Sequence, residues 1–89
     1  MKIHGSIVKE QGVTFAIIIV KKSAMQTTSD AAKTREAFRG ILDFRDLPVV
    51  LASQDSRGVF EYQGRRDLVD FLAKIDPARI PWKEYTVSD

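Results

Sequence analysis

Val13-Thr14-Phe15-Ala16-Ile17-Ile18-Ile19-Val20 constrains the architecture more tightly than any other segment of the chain. β-branched residues stand on both alternating sides of it, so neither side can be left to water. That is the pattern of a central strand covered on both faces. Its apolar core, the six residues from Phe15 to Val20, is the longest apolar run in the sequence. A helix that crosses a bilayer needs roughly 20 such residues, so no membrane span is expected.

The flanking segments are read against that strand. Lys2 to Lys9 alternates loosely, with Ile3 and Ile7 on one side and His4 and Ser6 on the other, and Glu10-Gln11-Gly12 supplies a short turn. Residues 2–9 and 13–21 are therefore expected to form a hairpin whose first strand lies at or near an edge. Polar residues follow, and Thr28, Ser29 and Asp30 offer an N-cap for a helix over residues 31–41. Ala31, Thr34, Phe38, Ile41 and Leu42 share one side of it; Lys33, Glu36 and Arg39 take the other. Gly40 offers an early end to this helix.

Leu47 and Pro48 lead into Val49-Val50-Leu51-Ala52, a second two-sided strand with proline at its start, where a missing N–H is tolerated. Asp55-Ser56-Arg57-Gly58 fits a type I turn closed by a glycine at positive φ, joining that strand to Val59-Phe60-Glu61-Tyr62. Gly64 then opens a helix with the buried stripe Leu68, Val69, Phe71, Leu72 and Ile75, which Asp76 and Pro77 stop. Pro81 to Val87 reads as a short extended tail with Trp82 and Tyr85 laid on the core.

The expected fold is a single α+β domain over residues 1–89 in ββαββα order. Its four-stranded mixed sheet has order 1-2-3-4, two helices, and residues 77–89 as a tail packed on the core or partly extended. The inner strands are joined through a helix, so they run parallel by a right-handed crossover. The last four elements, with proline opening the strand in Leu47-Pro48-Val49-Val50, resemble the distal half of a thioredoxin-like domain. The paired cysteines are absent and a hairpin stands in place of that fold's first strand and helix, so no redox activity is inferred.

Composition limits the chemistry. Absence of cysteine excludes disulfides, thiolate metal sites and a catalytic thiol. With a single histidine and no metal-loop spacing, no metal is expected, and with no phosphate-binding glycine loop or nucleophile elbow, no cofactor is expected either. Fourteen basic residues against 12 acidic ones give a net charge of +2, too small to indicate nucleic acid by itself. The N-terminus lacks the pattern of a secretory signal, which makes the cytoplasm the expected compartment.

Ligands of sheets with parallel strands lie outside the carboxyl ends of those strands. Both inner strands end in polar loops at one pole, residues 21–30 and 53–57, and the first loop runs into a helix N-terminus that favours an anion. Lys22, Thr27, Thr28, Ser29 and Arg57 are the ligand-binding candidates there, for a phosphate or a carboxylate. His4, brought to the same end by the antiparallel first strand, and Asp55 are the candidate acid or base. Each has a plainer role as well: a helix cap for Thr28 to Asp30, a hairpin turn for Asp55 to Gly58, and an exposed strand position for His4.

Arg65 and Arg66, beside Tyr62 and Gln63, form a second basic point at the opposite pole. It is a candidate nucleic-acid contact with Tyr62 as stacking platform, although Asp67 and Asp70 neutralise it within a turn. Trp82 and Tyr85 are either core cover or a patch for a protein partner, and the first strand offers an edge for a homodimer. The sequence thus favours a small non-catalytic interaction or ligand-binding module, with an anion site at the start of the first helix. The alternatives are a minimal hydrolase or transferase on a phosphorylated substrate and a nucleic-acid-binding module.

Overall fold

Both sides of residues 15–18 are buried, and residues 13, 14, 19 and 20 are half-buried. Strand β2 (Val13–Ile19) is the middle strand of a five-stranded sheet in the computed structural model, which describes residues 2–10, 12–41, 44 and 46–86. The other strands are β1 (Lys2–Glu10), β3 (Val49–Gln54), β4 (Phe60–Gln63) and β5 (Lys83–Thr86), in the spatial order β4-β3-β2-β1-β5. β2 pairs antiparallel with β1, matching Gly5 to Ile18, and parallel with β3, matching Ile18 to Leu51. Among the described residues the α-helices are α1 (Thr28–Arg39) and α2 (Arg66–Leu72), and the class is α+β with a mixed sheet.

The sheet alternation divides the core in two. Ala16 and Ile18 point to the side that holds Ala31 of α1, with Phe44 and Tyr85. Phe15 and Ile17 point to the side that holds Leu68 and Leu72 of α2, with Ile80. The helices therefore cover opposite faces, which is why β2 carries no polar side. Burying a leucine- or phenylalanine-sized side chain contributes about 1.5–3 kcal/mol, so each face adds several such contributions.

The expected sheet needs correction at its edge. It has five strands rather than four, because β5 pairs antiparallel with β1 from Lys2–Thr86 to Gly5–Lys83. β1 is thus an interior strand, and a homodimer formed by pairing along the first strand is no longer available over residues 2–5. Only Tyr85 of the four β5 residues is buried, and Lys83 and Glu84 are exposed, so the segment lacks the apolar alternation by which a strand is read. Tyr85 meets Phe44 edge-on at 4.9 Å and is core cover, not an exposed patch.

Element ends shift by a few residues. α1 begins at Thr28, because Thr27 supplies the cap: its Oγ1 accepts from the Asp30 N–H at 3.0 Å. β3 continues through Ser53 to Gln54, and α2 ends at Leu72, short of Ile75. The hairpin turn is as read: the Gly58 N–H donates to Asp55 O at 3.0 Å and Gly58 takes φ 84°. Gln11, Leu42 and Val87, which the sequence reading assigned to a turn, a helix face and the tail, lie outside the described residues.

Candidate functional site

The carboxyl ends of the parallel pair, Ile19 of β2 and Gln54 of β3, meet at one pole, and an open groove of 520 Å³ lies there on the α2 side of the sheet. His4, Ile19 and Gln54 line it from the strands, and Phe60 and Trp82 line it with their rings. Asp76 and Pro77 complete it from the segment that follows α2. The parallel crossover builds this position: β2 and β3 both stop at the same end, and β1 starts beside them.

Gln54 and Trp82 are oriented by hydrogen bonds. Gln54 Nε2 donates to Gly58 O at 3.1 Å, which leaves the Gln54 amide oxygen as the acceptor to be used. Trp82 Nε1 donates to Pro77 O at 3.0 Å and so fixes the indole. The indole lies nearly parallel to Phe60, at 5.7 Å and 13°, and Phe60 in turn lies parallel to Tyr62, at 6.1 Å and 8°. His4 pairs in register with Glu84 of β5, its Nε2 standing 3.9 Å from Glu84 Oε2, too long for a hydrogen bond.

The sequence candidates fall into separate places. His4 lies on the α2 side, across the sheet from the start of α1, so it does not converge with Thr27, Thr28 and Ser29. Those three are exposed, and the cap bond of Thr27, with Asp30 in the first turn, already places acceptors and negative charge at the helix dipole. Lys22 opens a 3₁₀ turn over Lys22–Met25 and lies close enough to Asp55 for its charge to act on it. Arg57 reaches Asp55 Oδ2 at 3.5 Å from an exposed turn.

Asp55 is a turn-closing acceptor. The Val59 N–H donates to it at 3.0 Å and the Arg57 N–H at 2.8 Å. The Val59 bond, followed by the Arg57 bonds and the Lys22 charge, holds its carboxyl below the ordinary range against an opposing effect of burial. A group held ionised in this way is poorly suited to donate a proton at neutral pH. Among the described residues no cluster of His, Cys, Asp and Glu could hold a metal ion, and no helix is long and apolar enough to cross a membrane.

At the far pole, Arg65 and Arg66 are exposed, and Arg65 Nε donates to Asp67 Oδ1 at 2.8 Å. Tyr62 turns its ring to the α2 side of the sheet, and its buried hydroxyl has no hydrogen-bond partner. Burial raises the Tyr62 phenol above its ordinary value. Gln54, Phe60 and Asp76 were not foreseen as site residues. Gln54 was masked by a strand that runs two residues longer than its apolar run, and Phe60 by counting as an ordinary strand residue.

No family model matches this chain, and no curated protein or solved structure matches it either.

Proposed function

We propose that this protein is a small, non-catalytic ligand-binding module, soluble and cytoplasmic, that takes a flat aromatic or heteroaromatic ligand in the groove at the carboxyl ends of β2 and β3. The observation that carries the reading is the fixed indole of Trp82, stacked on Phe60 and facing strand-borne His4 and Gln54. Rings offer a sequence-independent stacking surface, and a few oriented polar groups give direction, which is the usual make-up of a small-molecule site. The imidazole and the free amide oxygen would hydrogen-bond the ligand's polar edge. The basic groups Lys22 and Arg57 stand at the same pole and would favour an acidic substituent on the ligand over a basic one.

Trp82 is the sole tryptophan, so its fluorescence reports directly on the groove. Titration with nucleobases and planar heteroaromatic acids is expected to quench it saturably, and His4→Ala and Gln54→Ala, both at exposed positions, to weaken the binding while leaving the fold intact. Absence of saturable quenching across that panel, or quenching unaltered by both substitutions, rejects the reading.

A further inference from the structure

We infer that a second groove, at the opposite pole, is a binding site for a compact oxyanion such as a phosphoryl group, held by Arg35, Arg39 and Arg65. The groove measures 460 Å³ and lies between α1 and the start of β3, with Leu47, Pro48 and Val49 forming its apolar side. Arg35 and Arg39 stand four residues apart on α1, one turn above the other on a single face. Arg65 comes from the end of the β4 segment and completes the set from across the groove. Glu36, Asp46 and Asp67 stand among these arginines and balance their charge, so an anion would be held by the free guanidinium N–H donors rather than by excess charge.

The guanidinium groups of Arg35 and Arg65 are aimed by neighbours outside the groove lining. Arg35 Nη1 donates to Gln63 Oε1 of β4, and Arg65 donates through Nε to Asp67 at 2.8 Å. Both bonds occupy one part of the planar fork and leave the remaining N–H donors of each guanidinium for a ligand. Arg65 keeps both Nη groups, the pair that grips two oxygens of one phosphoryl or carboxyl group. Arg39 is the looser member, its Nη1 3.4 Å from Oε2 of Glu36, which itself lines the groove.

Charge sets the size of the ligand. Among the described residues three arginines of the groove face Glu36 and Asp46 in its lining and Asp67 beside Arg65, so the local charges balance. A nucleic-acid backbone is bound through many phosphates along an extended basic track, and its affinity falls steeply with salt. A charge-balanced, open concavity whose guanidinium forks keep free N–H donors fits one anionic group instead. This site is independent of the stacking groove, which lies at the other end of the sheet.

The test is a titration of the intact chain with inorganic phosphate and with pyrophosphate, read by backbone amide shifts. Saturable shifts confined to residues 35–39, 46–49 and 65 are expected, with Trp82 fluorescence unchanged. Arg65→Lys and Arg35→Lys keep the charge and lose the fork, and each is expected to weaken pyrophosphate binding by about tenfold, as does Arg39→Ala more mildly. A preserved amide spectrum in each free variant separates loss of binding from loss of fold. No saturable shift with either anion, shifts that survive all three substitutions, or binding seen only with a single-stranded oligonucleotide and with a steep salt dependence, would each overturn the inference.

Discussion

Replacement of Gly5 by alanine probes the tightest backbone approach in the sheet. A Cβ built on Gly5 falls 2.5 Å from the carbonyl oxygen of Ile17 on β2. Close carbon–oxygen contacts between strands settle near about 3.3 Å, so the two backbones must separate by about 0.8 Å to admit a methyl group. The neighbour is main chain in the central ladder, held by β5 on one side and β3 on the other, and cannot swing away as a side chain would. Forcing extra atoms into a packed interior costs about 1–3 kcal/mol. Alanine restricts the unfolded chain and returns about 0.4–1 kcal/mol. The steric term is the larger, and a net loss of about 1–2 kcal/mol is expected, or about 4–16 °C in Tm for a domain of this size. Urea denaturation should show a lower midpoint with an unchanged m-value. Gly40→Ala is the control: Gly40 has φ −75° and its Cβ would meet nothing closer than Ala37 O at 3.6 Å. The unfolded-state effect then acts alone, and that variant should gain stability. A Gly5→Ala protein as stable as the parent would refute the argument, because it would mean that the strands yield at no cost.

Tyr62→Phe removes a buried hydroxyl that has no partner and should stabilise the protein by about 1 kcal/mol, seen as a higher urea midpoint. Because burial raises the folded-state value of that phenol, its contribution is intact below the ordinary phenol range and is lost as the pH climbs through the raised value; the phenylalanine variant should lose less stability in alkali. Asp55 has the opposite sign. Its carboxyl is held low chiefly by the Val59 N–H, so the turn's contribution is present above the ordinary carboxylate range and is lost as the pH falls through the depressed value. Asp55→Asn should therefore flatten the acid limb of a stability–pH profile, and an unchanged limb would show that the turn bonds do not couple to folding.

Local pattern and local chemistry made most of the fold legible. Two-sided β-branched runs gave β2 and β3, and the Asp55–Gly58 turn chemistry gave the β3–β4 hairpin, because both signals lie within a few neighbouring residues. β5 was not legible as a strand: Lys83 and Glu84 gain their place from pairing with residues some 80 positions earlier in the chain, which no local periodicity encodes. The pole at the carboxyl ends of the parallel strands followed from topology. Which side of the sheet each residue takes did not, since His4 and the start of α1 share an end but not a face. Arg39 reads as the solvent side of an amphipathic helix, and only the crossing of α1 over β3 sets it and Arg35 against Arg65.

The position of the stacking groove follows from a mismatch in length. α1 has 12 residues and α2 has seven, about 18 and about 10 Å of helix at 1.5 Å per residue. β2 has seven residues and extends about 23 Å at 3.3 Å per residue. α1 nearly covers its face of the strand, whereas α2 starts at the far pole and ends at Leu72 with the upper half of its face unprotected. Ile19, Gln54 and Phe60 lie in that uncovered half, and Ile19 is accordingly only half-buried although it closes the most apolar strand. The chain after α2 returns across this gap through a 3₁₀ turn at Pro77–Arg79 and brings in Trp82, whose indole lies on Phe60. A single flat ring cannot fill the volume a further helical turn would occupy, so a groove remains between it and the strand ends. Beyond Leu72 the chain contributes to the groove through Asp76, Pro77 and Ala78 rather than through a further α-helical turn.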